Sequence, residues 1–355
     1  MILLKKTKAM NRRLITALTV CVLTAGTLHA CHDNDSTDYI QLPADAISSA
    51  AKIDGDTVCV FPERTFSARI TDNDRIITVS ANDNKLVNVI DRRTGDTLFS
   101  TLSYGAGEGM FLLPFPRYCP DTLIIMDGPK KQLVFYNLDS LAALSSGPEE
   151  IITPGGIQRA TVFPTILPYR GRLLALNPYC FRSPDGMIDN HDDRRFILSD
   201  STMTFPELEF KYMTINVAQG NVIAVPDAGK IAYIPPYESH IEIYDYNTLK
   251  KLIDISLPID FANEYWATSD GLVLVQTKAP GLPDGFLDGN GCKEWFLCML
   301  TYQGITYMLK LDWNGNLMSS YRFEKGERPS DISLSDDGKH IYLLHDMRIL
   351  MQYSL

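Results

Sequence analysis

The chain lacks the signatures that make catalysis or metal binding readable. It has no Gly-x-Ser-x-Gly and no His-Glu-x-x-His, so neither the hydrolase elbow nor the zincin helix is present. Its seven cysteines contain no Cys-x-x-Cys pair, and no Cys/His cluster has zinc spacing. No stretch reads as a long amphipathic helix; 140–145 supplies one or two turns at most. Basic residues are short, 33 Lys and Arg against 43 Asp and Glu, a net charge of −10. Residues 1–30 hold five of those basic residues and no acid, so the remainder carries −15. Such a chain is a poor nucleic-acid binder, because phosphate contacts need positive patches.

Composition is that of a folded protein. The chain has 355 residues, 45% apolar and 21% charged, enough for one large core and unlike a disordered segment. Six short apolar runs recur: 85–91 (KLVNVID), 132–137 (QLVFYN), 195–200 (RFILSD), 240–245 (HIEIYD), 306–312 (TYMLKLD) and 348–353 (RILMQY). The first five close on Asp or Asn. Spaced strand repeats without helical pattern between them predict an all-β, six-bladed propeller.

Turn signals place the other strands. The first unit reads as 67–71, 75–80, 86–91 and 96–102; the second as 123–127, 132–138 and 149–153. The third reads as 165–168, 172–177, 195–200 and 207–211, and the fourth as 221–225, 230–234, 240–246 and 249–256. The fifth reads as 264–268, 271–277, 306–312 and 317–324. The sixth, 331–335, 340–345 and 348–353, ends one strand short. An uncovered edge invites pairing, and 57–61 (TVCVF) belongs to no unit, so this N-terminal strand is expected to close the last blade.

The N-terminus reads as an export signal. Lys5, Lys6, Lys8, Arg12 and Arg13 precede an apolar stretch, 14–28, too short to span a membrane. It ends in Leu28-His29-Ala30-Cys31, which resembles a bacterial lipobox with Cys31 as lipid acceptor; an ordinary signal peptide cut near Ala30 is the alternative. The expected division is a lipoprotein signal peptide at 1–30, a tether at 31–55 and the propeller at 56–355. The implied address is the cell envelope, with membrane contact through the lipid alone. Five cysteines remain, Cys59, Cys119, Cys180, Cys292 and Cys298. Cys292–Cys298 is the only pair close enough in sequence to suggest a disulfide.

The segment 102–114 (LSYGAGEGMFLLP) resembles the interblade signature of NHL-type propellers, with a glycine-rich run, an acid and an aromatic before a proline. With the lipobox and six blades, the chain resembles the TolB-like six-bladed propeller lipoproteins of gut-dwelling Gram-negative bacteria. The resemblance covers about residues 57–355, and implies architecture without implying catalytic residues.

In a four-stranded blade, the strand 2–3 loop and the link to the next blade share one face. Two such loops are long, 178–194 and 278–304, so ligand contact is expected there, over the central channel. The first supplies Asp189, His191, Asp193 and Arg194, either a solvated loop with Asp–Arg pairs or an oxygen-rich Ca²⁺ site. The second supplies Glu294 and Trp295, either a stacking platform or a lid packed on the blade. No catalytic residue can be named, and no cofactor is required beyond that candidate Ca²⁺. The expected function is a non-catalytic binding module for a protein, peptide or glycan. The alternatives are a hydrolase or lyase at the channel mouth, Ca²⁺-assisted or not, and a structural subunit of an outer-membrane complex.

Overall fold

The computed structural model describes residues 37–354 apart from 72, 83, 106–109, 112–113, 120–121, 145–147, 157–164, 262, 278–283 and 336–337. The signal segment, Cys31 and residues 106–109 and 112–113 of the glycine-rich 102–114 signature lie outside the described residues.

Three N-terminal strands come first: β1 (Asp38–Gln41), β2 (Ala51–Lys52) and β3 (Asp56–Val60). Blade 1 is β4 (Thr65–Ile70), β5 (Arg75–Asn82), β6 (Lys85–Asp91) and β7 (Thr97–Tyr104), edged by β8 (Met110–Phe111). Blade 2 is β9 (Pro114–Tyr118), β10 (Thr122–Asp127), β11 (Gln132–Asn137) and β12 (Glu150–Ile152), with helix α1 (Leu138–Ala142) before the last strand. Among the described residues blade 3 has three strands, β13 (Ile166–Tyr169), β14 (Arg172–Leu176) and β15 (Phe196–Leu198). Helix α2 (Ile215–Ala218) leads into blade 4, which is β16 (Asn221–Val225), β17 (Lys230–Ile234), β18 (His240–Asp245) and β19 (Lys251–Ser256). A separate hairpin follows, β20 (Asn263–Ala267) and β21 (Val273–Thr277). Blade 5 is β22 (Gly285–Gly291), β23 (Trp295–Tyr302), β24 (Ile305–Asp312) and β25 (Leu317–Arg322). Blade 6 is β26 (Pro329–Leu334), β27 (His340–His345) and β28 (Ile349–Ser354), completed by β3.

The recurring run is the third strand of every blade. Its closing Asp or Asn does the same job in each of the five: a side-chain oxygen accepts backbone N–H groups of the segment leading to strand four, as in an Asx turn. Asp91 takes Arg93 and Thr94, Asn137 takes Ser140, and Asp200 takes Thr202 and Thr204. Asp245 takes Asn247 and Thr248, and Asp312 takes Asn314 and Asn316. These N–H donors hold Asp91, Asp200 and Asp245 below the usual carboxylate range. Blade 6 has no turn from its third strand to its fourth, because the fourth is supplied by the N-terminus. The sixth run therefore ends on Tyr353 without the acid.

The expected closure is present. Strand β3 runs antiparallel to β28, with Val60 opposite Ile349 and Asp56 opposite Gln352.

The structure corrects the tether. Strand β1 adds in parallel to the outer edge of blade 4 and β2 to that of blade 5. Leu42, Ala46, Ile47 and Ala50 are buried in the core shared by blades 4 and 5, and Ile53 in the core shared by blades 5 and 6. From Asp38 onward the segment is a belt over three blades. Its apolar spacing is too sparse to announce a strand, and only the outer grooves give it a partner.

Blade 5 is also corrected. The expected strands 264–268 and 271–277 form the separate hairpin, and the expected loop 278–304 contains β22 and β23. Glycines made β22 read as a loop. They are required by crowding: a Cβ on Gly285 would stand 2.1 Å from the Pro236 carbonyl oxygen. The segment 207–211 forms no strand; just before it Gly155 bridges to Thr204, donating its N–H to the Met203 carbonyl and accepting the Phe205 N–H, which engages the chain there with the 153–156 segment.

Candidate functional site

The loop 178–194 does join the second and third strands of blade 3, as expected, and it is packed down. Phe181 and Ile188 from the loop, Val217 and Ala218 from α2, and Val273 from the hairpin form one buried cluster. Asn190 staples the loop to the next link: its carbonyl oxygen accepts Lys211 and Tyr212 N–H, and its amide donates to the Tyr212 carbonyl.

The candidate residues divide into three places. Asp189 is bound by Arg182 at 2.7 Å and lies 3.3 Å from His191, whose side chain is 84% exposed. Arg194 makes a two-pronged contact with Asp192, at 3.0 and 2.8 Å. The loop thus takes the form of local Asp–Arg pairs. Glu294 and Trp295 stand elsewhere: residues 292–294 are the tight turn between the first and second strands of blade 5, on the opposite face of the propeller. Trp295 is buried beneath Lys310, whose ammonium lies 4.3 Å from the ring centroid. These two residues share no site with the blade 3 loop, and Trp295 is no exposed platform. His345, from blade 6, is buried against Phe323 and bonded to the Tyr353 hydroxyl at 2.8 Å. The five described cysteines are all free thiols, Cys292 and Cys298 included.

Asp193 and Arg194 border a cleft of about 590 Å³ between blades 3 and 4. Arg195, Phe196 and Cys180 form one wall, and Glu242, Tyr244, Leu249 and Lys251 the other. At its floor Glu242 is a hub. Arg195 Nε donates to it at 2.9 Å, Tyr244 Oη at 2.6 Å, and Lys251 Nζ stands 3.4 Å away. The Arg195 guanidinium also lies over Tyr233, 4.1 Å from its centroid, and donates to the Cys180 carbonyl. Side-chain exposure is 11% for Arg195 and 7% for Glu242, so neither charge is hydrated and each depends on the other.

Strand pairing places Asp254 directly opposite Glu242, a like-charge pair. Lys251 resolves it by reaching both carboxylates, Asp254 at 2.9 Å. Burial alone would raise Glu242, but Arg195, His240 and Lys251 hold it well below the usual carboxylate range. Burial likewise opposes charge on His240, yet Glu242 and Glu238 raise the imidazole above its ordinary value. Burial pushes the Cys180 thiol up to about 11 despite Arg195 nearby. Donor atoms of His240, Glu242 and Asp254 lie within 4.8 Å of one another, a spacing that suits a metal. Arg195 and Lys251 already neutralise both carboxylates there, so the cluster is an internal ion network.

The sequence carried one sign of this cleft. Glu242 is the only acid inside any of the six runs ahead of its closing residue, and an acid at a core position implies a buried partner. Nothing in the sequence names Arg195, Tyr244 or Lys251 as those partners.

No protein-family model matches the chain, and no curated protein does. Among solved structures, a protein of Bacteroides fragilis NCTC 9343, provisionally described as exported, is similar with a TM-score of 0.50 and 10% identity, over 90% of this chain and 99% of that one. A chain of the mitotic checkpoint complex is similar at a TM-score of 0.45 and 9% identity, over 86% of this chain and 87% of that one. The first likeness supports the propeller fold alone.

Proposed function

We propose that this chain is an exported, lipid-anchored propeller of the TolB-like, NHL-like kind, acting as a non-catalytic binding module. Its ligand is a protein segment, peptide or glycan held in the cleft between blades 3 and 4. The observation that carries this reading is the state of the groups lining the cleft. Glu242 is held as a carboxylate by Arg195, Lys251 and the Tyr244 hydroxyl, so it holds no proton to donate near neutral pH. Cys180 is held as the thiol, which is a poor nucleophile. A cleft whose charges are locked in place is organised to recognise.

Asp193 and Arg194 stand exposed at the rim, so exchanging their charges leaves the Glu242–Arg195 network in place and gives up only the local Arg194–Asp192 pair. Affinity capture from envelopes with the native protein should recover a ligand that the Asp193→Arg, Arg194→Glu variant does not. Recovery of the same material by both would place binding elsewhere. Cys31→Ala should move the protein from the membrane fraction to the soluble one, and full membrane retention would refute the anchor.

A further inference from the structure

In five blades the third strand is paired on its outer side, by β7, β12, β19, β25 and β3 in turn. In blade 3 the third strand, β15, is the last of its sheet among the described residues. The register identifies the backbone groups left over. Asn177 N–H donates to the Arg195 carbonyl and Ser199 N–H to the Leu173 carbonyl, so residues 195, 197 and 199 bond inward toward β14. Phe196 and Leu198 therefore turn their N–H and C=O groups to the outer edge, where they have no hydrogen-bond partner among the described residues. Phe196 is buried and Leu198 half-buried, a setting in which backbone groups need partners.

The chain that follows β15 is engaged elsewhere. Thr204 bridges to Gly155, Phe210 stacks on Tyr179 with ring centroids 4.0 Å apart, and the Lys211 and Tyr212 N–H groups are held by Asn190. Other blade edges do take strands from elsewhere in the chain: β1 and β2 add in parallel to blades 4 and 5, and β8 to blade 1. The unpaired edge of β15 borders the cleft. Blade 4 lines the cleft with its third and fourth strands, through Tyr244 and Lys251, and blade 3 with its third strand, through Phe196.

We propose, on the reading of this cleft as the binding site, that its ligand is an extended, basic protein segment that pairs with β15 as the fourth strand of blade 3. Backbone hydrogen bonds from Phe196 and Leu198 supply the affinity, as in other cases of strand addition to an open sheet edge. The charge of the segment follows from the charges it meets. Arg194 is paired with Asp192, Arg195 with Glu242, and Lys251 with both Glu242 and Asp254. Asp193 is exposed and has neither a hydrogen bond nor an ion pair among the described residues. It precedes Phe196 by three residues, about 10 Å along an extended chain, so a segment of about six residues covers both. A carboxylate without a counter-ion at the rim selects a Lys or Arg on the segment.

The probe is a capped hexapeptide of alternating Val and Lys, added to the full chain and followed by amide hydrogen exchange resolved by residue. The Ile197 amide, bonded to β14, serves as the internal control. At saturating peptide the Phe196 and Leu198 amides should exchange at least about tenfold more slowly, with Ile197 unchanged. The same peptide with every backbone amide N-methylated should give no slowing, because it cannot form the ladder. A Val and Glu hexapeptide should bind at least about tenfold more weakly, and Asp193→Asn should remove most of that preference. No slowing at the two amides, or equal slowing by the N-methylated peptide, would overturn strand addition. Equal binding of the Lys and Glu peptides, or a preference unaltered by Asp193→Asn, would overturn the basic segment. Loss of captured material from the rim variant, seen together with unslowed amides, would leave the cleft as the binding site and remove only the added strand.

Discussion

Replacing Glu242 by alanine is expected to lower the unfolding free energy by about 3–5 kcal/mol, the cost of leaving a buried charge without its partner. Arg195 would keep its guanidinium over Tyr233 and its bond to the Cys180 carbonyl but lose its carboxylate, while His240 and Lys251 would each be left with one carboxylate, Glu238 and Asp254. The Tyr244 hydroxyl would lose its acceptor as well. Urea titration at pH 7 measures the effect. The double variant Arg195→Met, Glu242→Leu should recover most of the loss, because an apolar pair needs no desolvation. A single variant within about 1 kcal/mol of the native protein would show that water reaches the pair and that the cleft floor is not dry.

Starting the chain at Gly55 in place of Asp38 is the second large effect. It removes β1, β2 and the buried side chains Leu42, Ile47 and Ile53, each contributing about 1.5–3 kcal/mol of burial. Part of that is offset by the conformational freedom the belt no longer surrenders, so a net loss of about 4 kcal/mol is expected. The surface left bare includes apolar groups of blades 4 and 5 that pack under the belt, Phe261 and Trp313 among the same cluster. Starting at Glu63 removes β3 too and should abolish the cooperative transition, since blade 6 then lacks its fourth strand and the ring its closure. Thermal unfolding followed by circular dichroism separates the cases. Identical midpoints for the chains starting at Asp38 and Gly55 would mean that the belt lies on the propeller without supporting it.

Much of the architecture was legible because its signals are local. Third strands repeat with an Asp or Asn at their ends, and each of those five residues does the same work in the same turn. Blade 4 matched its expected strands closely, with 240–245 as the third strand and 221–225 as the first. Blade 5 did not, because a strand of Gly, Phe, Leu, Asp, Gly, Asn and Gly carries no apolar alternation; its conformation is imposed by β23 on one side and the crowded hub on the other.

The site was legible only where one loop supplied it. Asp193 and Arg194 line the cleft, while Glu294 and Trp295 fall on the far face because two unrecognised strands reverse the chain between them and the expected loop position. Arg195 meets Glu242 across 47 residues, and Arg117 meets Asn221 across 104.

The amino-acid order alone settled what depends on near neighbours: the strands that recur, the turns that end them, and the need of a sixth blade for a strand from the N-terminus. Folding in three dimensions decided which charges share a cleft, that Arg117 meets Asn221 and Asp288 from another blade, and that residues from Asp38 form a belt. Those outcomes arise from desolvation and from partners on other blades, and neither is written in the local pattern of a strand.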